Sequence, residues 1–255
     1  MTAPPLQDNI VVARGLTKRF FDFAAVSGVD LTVRRHSIHA LIGPNGAGKT
    51  TTFNLLTKFL PLTSGSILYN GDDITLESPA RLARRGIVRS FQISAIFPRM
   101  SVAENVRIAL QRPSGTSFRF WSNERHLRRF DHRVDELLDA VGLLEHRDRT
   151  AAGLSYGRRR ALELATTLAL EPELMLLDEP TSGLGSEDVD RISSLIRNIS
   201  ANRTILMVEH NLSVVAKLAD TITVLARGKV LAEGSYAQVS GDPRVIEAYI
   251  GGVDD

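Results

Sequence analysis

Short apolar runs separated by turn residues fill the first third of the chain and predict β-strands. The runs at 10–12, 29–33 and 38–42 are rich in Ile, Val and Leu, and such runs are typical of extended backbone. A further run at 66–71 ends in Asn-Gly, a dipeptide typical of tight turns between antiparallel strands. The N-terminal part of the chain is therefore predicted to be rich in strands.

Helical periodicity then alternates with further apolar runs. Helices are predicted at 51–60, 79–85, 158–170, 186–200 and 242–250 and, with an interruption, over 101–144, where Ser101 and Glu104 form a capping-box pattern. Strands are predicted at 86–92, 174–178, 204–208, 221–226 and 229–233. In 255 residues of which 43% are hydrophobic, this pattern predicts one large α/β domain with a smaller appended subdomain.

The interruption of the helical pattern lies at 112–121. A Pro-Ser-Gly sequence breaks the helix there, and Phe118, Phe120 and Trp121 follow beside arginines. Two interpretations remain open: a docking face for another chain, or a local lid on the helical part, which is the more economical of the two.

Composition excludes several classes of protein. The chain has no cysteine, which excludes disulfides and thiol chemistry and fits a reducing compartment. The first residues lack the basic and apolar regions of a secretory signal, and no run approaches the roughly 20 apolar residues of a membrane span. We therefore expect a soluble chain whose membrane role, if it has one, depends on a partner.

The formal net charge is only +2, although the sequence pI is about 9.1. Proteins that bind nucleic acid generally carry a dense patch of one sign. The charge balance therefore argues against nucleic acid as a partner.

The sequence GPNGAGKT, which begins at residue 43, lies between a predicted strand and a predicted helix. Gly43, Gly46 and Gly48 lack Cβ atoms, so successive backbone N–H groups can converge on phosphate oxygens. Lys49 adds a positive charge for the β and γ phosphates, and Thr50 offers a hydroxyl to Mg²⁺. The helix that follows points its positive end at the anion. The segment therefore predicts a nucleotide-phosphate site.

A second anion-binding helix end is predicted at 154–157, where Leu-Ser-Tyr-Gly precedes a long helix. Ser155 can donate to a phosphate, and Gly157 permits close approach. Taken alone, this sequence predicts only a helix cap.

Two adjacent carboxylates, Asp178 and Glu179, end the predicted strand at 174–178. Because side chains alternate across a strand, the two cannot point the same way while the strand continues. One can hold Mg²⁺ through water, and the other can reach an attacking water. Ion pairs in a structural network are the alternative.

Two further polar side chains follow predicted strands: Gln92 and His210. In open α/β sheets ligands bind at the carboxyl ends of the strands, where Lys49, Glu179 and His210 are all expected to lie. Gln92 can contact a nucleotide-bound Mg²⁺ and sense the loop beyond it.

An aromatic cluster at 20–23 precedes the phosphate segment. An adenine ring needs a flat apolar partner, which one of these phenylalanines could provide. A hydrophobic plug between strands is an equally good interpretation of any single one of them.

Together, these motifs resemble the ATP-binding subunit of an ABC transporter over nearly the whole chain. The Leu-Ser-Tyr-Gly tetrapeptide is the family's signature loop and the most specific of the motifs. The sequence VRSFQ at 88–92, the insertion at 112–121 and the ending VIEAYIGG at 245–252 look like the importers of branched-chain amino acids and their urea and amide relatives.

The resemblance implies a role for each motif residue. Phe20 would stack on adenine, with Phe21 or Phe23 as competitors. The phosphates would be bound by Asn45, Gly46, Gly48, Lys49, Thr50 and Thr51. Mg²⁺ would be bound by Thr50 and Gln92 and, through water, by Asp178, while Glu179 would be the general base and His210 would contact the γ phosphate. Ser155 and Gly157 would complete the ATP site of a second subunit, because family members close two ATPases head to tail.

The implied fold is α/β: a P-loop NTPase (RecA-like) core with an antiparallel β-subdomain and an inserted α-helical subdomain. Residues 1–90 and 160–255 would form the core and β-subdomain, and about 91–159 the helical subdomain. The implied function is ATP hydrolysis, with ATP and Mg²⁺, that powers import through transmembrane permease subunits. The chain would lie at the cytoplasmic face of the inner membrane, to which it would be attached through the permease subunits. A periplasmic solute-binding protein would be an indirect partner.

Two other functions share these motifs. A lipid or lipopolysaccharide exporter ATPase has the same catalytic set, although the insertion at 112–121 favours import. ABC-type ATPases of DNA maintenance carry long coiled coils, and no sustained heptad segment occurs here.

The chain also departs from the family pattern at Lys58, at 158–160 and at Gly185, which stands where many members have an aspartate that communicates across the dimer. Whether the dimer is homomeric stays open, although two different ATPases are usual in branched-chain amino acid systems.

Overall fold

Two β-sheets form the framework of the protein, which is described by a computed structural model over residues 8–90, 96–111 and 130–250. An antiparallel sheet of four strands has the order β2-β1-β4-β5. A second sheet of six strands has the order β10-β9-β3-β8-β7-β6 and is parallel except for β10. The strands are β1 (Asn9–Phe20), β2 (Phe23–Arg34), β3 (Ile38–Ile42), β4 (Ser64–Tyr69), β5 (Asp72–Asp73), β6 (Ile87–Ser90), β7 (Leu174–Asp178), β8 (Thr204–Val208), β9 (Thr221–Ala226) and β10 (Lys229–Gly234).

Helices connect and cover the parallel strands. They are α1 (Lys49–Leu56), α2 (Pro79–Arg84), α3 (Val102–Leu110), α4 (Asp131–Ala140), α5 (Tyr156–Leu168), α6 (Ser186–Ser200), α7 (Leu212–Leu218), α8 (Tyr236–Ser240) and α9 (Pro243–Ile250), with 3₁₀ turns at Leu144–His146 and Ala151–Gly153. The described residues contain no helix long and apolar enough to cross a bilayer, and α6, the longest among them, has 15 residues.

Most of the predicted elements are present, and the differences have local causes. The strands predicted at 10–12 and 29–33 are the centres of two strands of 12 residues each, whose pairing is irregular near Gly15 and Gly28. Helix α1 ends at Leu56 rather than at residue 60, because Lys58 has a left-handed backbone with φ 61°. Glycine is the residue that adopts this conformation most readily, so the ammonium-bearing side chain at Lys58 is carried on a backbone that favours glycine.

Helix α3 begins with the predicted capping box, in which Ser101 Oγ accepts from the Glu104 N–H and the Glu104 carboxylate accepts from the Ser101 N–H. Helix α5 begins at Tyr156, two residues before the predicted start. The predictions for 91–92 and for 112–121 fall outside the described residues.

The parallel sheet is buried on both faces. Met175, Leu177, Ile205 and Met207 belong to a core shared with the helices α3 to α7. The alternate positions on β7 and β8, such as Leu206, belong to a second core shared with the antiparallel sheet. This double burial explains why the central strands are continuous apolar runs rather than alternating ones.

A buried histidine in β3 is expected to make stability depend on pH. His39 is 1% exposed, and its Nε2 lies 2.8 Å from Thr223 Oγ1, which donates to Glu233 Oε2 at 2.6 Å. Burial lowers the pKa of His39 from 6.5 to about 4. As the pH falls, the imidazole is therefore protonated in the unfolded chain before it is protonated in the folded chain. The contribution of neutral His39 to the free energy of unfolding is complete above pH 6.5, and about 3 kcal/mol of it is lost as the pH falls towards 4.

Urea denaturation between pH 7 and pH 4 measures this loss. His39→Gln should flatten the pH dependence of the free energy of unfolding in that window, whereas His132→Gln, at a side chain that is 88% exposed, should not. Equal slopes in the wild type and the His39 variant would contradict the assignment.

Candidate functional site

The loop between β3 and α1 is held from two sides by the backbone of neighbouring strands. A Cβ atom at Gly43 would lie 2.1 Å from the Leu225 carbonyl oxygen, and one at Gly48 would lie 2.7 Å from the Ala25 carbonyl oxygen. A Cβ at Gly46 would meet nothing within 4 Å. The prediction that all three glycines serve phosphate approach is therefore incomplete: two of them are required by the packing of the loop itself.

Lys49 is the first residue of α1, and its ammonium folds back over the loop. Its Nζ donates to the carbonyl oxygens of Gly43 at 2.6 Å and Pro44 at 2.9 Å. Partial burial lowers the pKa of Lys49, and the negative charge of Glu179 opposes that effect. The lysine therefore lies close enough to Glu179 for their charges to interact.

The other residues predicted to bind phosphate or Mg²⁺ at this loop are accessible. Asn45, Gly46 and Thr50 are exposed, and Thr51 is half-buried. The first turn of α1 has no acidic side chain, so the positive end of the helix is not neutralised. Its N–H groups are therefore available to an anion.

The two carboxylates at the end of β7 differ in burial. Asp178, the last residue of the strand, is 3% exposed. Glu179 has a left-handed backbone with φ 46°, and its side chain is 30% exposed. The strand therefore stops at Asp178, and the turn brings the Glu179 carboxylate to the surface of the site.

Asp178 is also part of an ion pair, as the structural alternative predicted. Arg89 Nη2 lies 2.5 Å from Asp178 Oδ2, and Arg89 Nη1 donates to Asn54 Oδ1 at 2.6 Å. The guanidinium also packs on the rings of Phe53 and Phe59. Arg89 was not among the predicted site residues, although it belongs to the VRSFQ sequence that indicated the subtype.

His210 lies two residues after the end of β8 and completes a cluster of three side chains. Its Nδ1 lies 3.8 Å from Glu179 Oε2. Strands β3, β8 and β7 are neighbours in the sheet, so Lys49, Glu179 and His210 gather at the carboxyl ends of three adjacent strands. This is the edge at which the sequence predicts them to meet.

The signature loop makes its contacts elsewhere. Ser155 caps α5, with Oγ accepting from the Arg158 N–H at 3.4 Å, and Tyr156 Oη donates to the Ser182 carbonyl at 3.4 Å. A Cβ atom at Gly157 would lie 2.2 Å from Asp188 Oδ2. Gly157 thus permits close approach to a carboxylate of its own chain, and no hydrogen bond or ion pair among the described residues joins this loop to Lys49.

The aromatic cluster lies at the exposed end of the β1–β2 hairpin. Phe20 is 42% exposed, Phe21 101% and Phe23 67%, so none of them is the hydrophobic plug offered as an alternative. Ala25, two residues beyond Phe23, has its carbonyl against Gly48. The hairpin end is therefore beside the phosphate loop. Gln92, the remaining predicted site residue, lies outside the described residues.

A buried carboxylate that the sequence did not single out lies between the two loops of the site. Glu209 is 0% exposed. Its Oε1 accepts from the N–H and the hydroxyl of Thr181, and its Oε2 accepts from the N–H groups of His210 and Asn211. The only sequence signal was a charged residue beside His210, at the end of an apolar strand.

The donor set fits Mg²⁺ better than a metal held entirely by protein. The described residues contain no cluster of three or more His, Cys, Asp or Glu side chains. Mg²⁺ commonly keeps several waters and takes one or two carboxylates plus substrate phosphates. One carboxylate, Asp178 at the end of β7, and one exposed hydroxyl, Thr50 in the first turn of α1, match that pattern.

Comparisons with known proteins agree with this architecture. The ABC transporter family model matches residues 26–182, and the model for branched-chain amino acid ATP-binding cassette transporters matches residues 229–255. The chain therefore belongs to the ABC transporter family. The family predicted from the motifs is thereby confirmed, and solved structures of ABC cassettes confirm the predicted fold class.

Two curated relatives are similar over almost their whole length. The high-affinity branched-chain amino acid transport ATP-binding protein BraF of Pseudomonas aeruginosa is 37% identical over 252 residues, which cover 95% of this chain and 98% of BraF. The corresponding LivG protein of Escherichia coli K12 is 37% identical over 258 residues, covering 96% of this chain and 99% of LivG.

Two solved structures are similar over the same extent. A nucleotide-free ATP-binding cassette from an ABC transporter has a TM-score of 0.82 at 29% identity, and a cassette in its ADP conformation has a TM-score of 0.83 at 30% identity. Each alignment covers 95% of this chain and 99% of the other chain.

Proposed function

We propose that the chain is the ATP-hydrolysing subunit of an ABC importer for branched-chain amino acids or related small polar solutes. The observation that carries the ATPase is the cluster of Lys49, Glu179 and His210 at the carboxyl ends of adjacent strands. The substrate class is supported by the two relatives named for branched-chain amino acid transport and by the C-terminal family match.

In this proposal each side chain does one task in phosphoryl transfer. The loop N–H groups and Lys49 hold the phosphates and neutralise their charge, while Glu179 accepts a proton from the attacking water. His210, 3.8 Å from Glu179, contacts the γ phosphate. Phe20 stacks on adenine, with Phe21 or Phe23 as alternatives. Thr50, Gln92 and, through water, Asp178 would hold Mg²⁺, which would supply positive charge that neutralises the phosphates.

The site is proposed to be completed by a second ATPase subunit, identical or related. Among the described residues, the contacts of Tyr156 and Gly157 run to the segment 182–188 and not to the phosphate loop of their own chain. Ser155 and Gly157 are therefore proposed to act at the site of a neighbouring subunit. ATP binding would close this dimer and hydrolysis would reopen it. Because Gly185 stands where many members have an aspartate, communication across this dimer does not depend on a carboxylate at that position.

Permease subunits are proposed to dock in an apolar groove beside β6, the strand that leads to Gln92. The groove has a volume of about 390 Å³, and its walls include Phe59, Ala83, Arg89, Phe97 and Ile108. Phe59 and Phe97 are each 50% exposed, as expected of a surface that a partner covers. This placement would hold the chain at the cytoplasmic face of the membrane, with residues of about 91–159 forming a helical subdomain on the core made by 1–90 and 160–255.

Reconstitution tests the proposal. The chain should co-purify with its permease subunits, and in proteoliposomes a solute-binding protein loaded with a branched-chain amino acid, urea or an amide should stimulate ATP hydrolysis. Stimulation by lipid or lipopolysaccharide without a binding protein would identify an exporter instead. Stimulation by DNA would overturn the transport function.

A further inference from the structure

We propose that Glu209 is a positioning residue that fixes His210 relative to the turn that carries Glu179. The inference rests on the proposed function, because it concerns how that site is held together. It adds a residue that makes no contact with nucleotide in the proposed mechanism and acts through its neighbours.

The first step is the chemistry of the carboxylate. Glu209 is fully buried, and a buried carboxylate is tolerated only where donors compensate for the lost water. Four donors do so here: the N–H and hydroxyl of Thr181 at 3.1 and 2.5 Å, and the N–H groups of His210 at 3.0 Å and Asn211 at 3.1 Å. Every donor comes from one of the two loops that carry the reactive side chains.

The second step is the position of those donors in the chain. Thr181 lies two residues after Glu179, whose own N–H donates to the Val208 carbonyl at 2.9 Å. Asn211 caps α7, with its side chain accepting from Ser213 and Val214. The carboxylate therefore joins the turn after β7 to the turn that starts α7.

The third step is the consequence for geometry. Glu179 and His210 are both partly exposed, and their 3.8 Å separation is fixed by no direct hydrogen bond. Their relative position depends on the turn after β7 and the turn that starts α7, which Glu209 joins through its hydrogen bonds to Thr181, His210 and Asn211. An amide at this position would turn an NH₂ group towards the N–H of Thr181 or towards the N–H groups of His210 and Asn211, and so lose the hydrogen bonds from those N–H groups.

Glu209→Gln tests the proposal first without nucleotide. Amide hydrogen exchange followed by NMR in the full chain should become about tenfold faster or more at Thr181, His210 and Asn211, while Leu206 and Met207 in β8 keep their protection. The matched control is Glu173→Gln. Glu173 also accepts several hydrogen bonds, but from Tyr69, Asn70 and Arg35 at the opposite end of β7. Unchanged exchange at His210 would overturn the proposal.

A double-mutant cycle with His210→Ala then separates positioning from general loss of stability. Glu209→Gln should lower kcat about tenfold or more with ATP affinity unchanged within about twofold, and should lower kcat less than about twofold in the His210→Ala background. Equal losses in both backgrounds would overturn the proposal. If the Glu209→Gln variant does not fold, Thr181→Val replaces it in the double-mutant cycle. This variant removes the hydroxyl donor to Glu209 and keeps the charge of the carboxylate. A wild-type chain that binds no ATP would overturn the proposed function, while the exchange measurement still tests Glu209.

Discussion

ATP hydrolysis by a Glu179→Gln variant is expected to be about 100-fold slower or more, with ATP binding retained, because the amide cannot accept a proton from water. The left-handed turn at Glu179 brings this carboxylate, and not that of Asp178, to the exposed side of the site. The variant should accumulate with bound nucleotide as a dimer. Steady-state phosphate release and the mass of the ATP-bound species measure the two effects.

Glu173→Gln is the matched control for this prediction. Strand β7 begins just after Glu173 and ends just before Glu179, so the same chemical change is made at opposite ends of one strand. The rate of ATP hydrolysis should be unchanged in Glu173→Gln. Near-normal turnover in Glu179→Gln would remove this residue from the role of general base.

Lys49→Ala is expected to weaken ATP binding about 10- to 100-fold, the range for loss of a charge-assisted hydrogen bond. Without ligand the ammonium is held by the Gly43 and Pro44 carbonyls, so it already lies within the loop. Titration calorimetry with ATP and Mg²⁺ measures the affinity. Lys58→Ala is the control, since Lys58 follows the same helix but donates to the Thr75 carbonyl; an equal loss in both variants would argue against a specific phosphate contact at Lys49.

The central strands and the cluster at their ends were predictable because both follow from local sequence. Strands β7 and β8 are each built on a continuous apolar run, β9 is apolar except for Thr221 and Thr223, and α6 has a strong helical periodicity, so their bounds match the prediction. Lys49, Glu179 and His210 each follow a predicted strand, and parallel strands bring such residues to one edge of the sheet.

The supporting contacts were not predictable because they join residues far apart in sequence. Arg89 and Asp178 are 89 residues apart, and Thr181 and Glu209 are 28 apart. Each pair depends on which strands become neighbours and on a left-handed turn at Glu179, where a non-glycine residue gives no sequence signal. The long strands β1 and β2 were underestimated for a related reason, since glycines and polar residues interrupt their apolar pattern while the antiparallel ladder continues.

The clamped glycines of the phosphate loop have a consequence for the thermodynamics of nucleotide binding. A backbone carbonyl of β2 lies against Gly48 and one of β9 lies against Gly43, so the conformational entropy of this loop is lost when the protein folds and not when ATP arrives. The loop is thus preorganised, and most of the enthalpy of its contacts with phosphate remains available as affinity. Loosening either strand would therefore weaken ATP binding without removing a single phosphate contact.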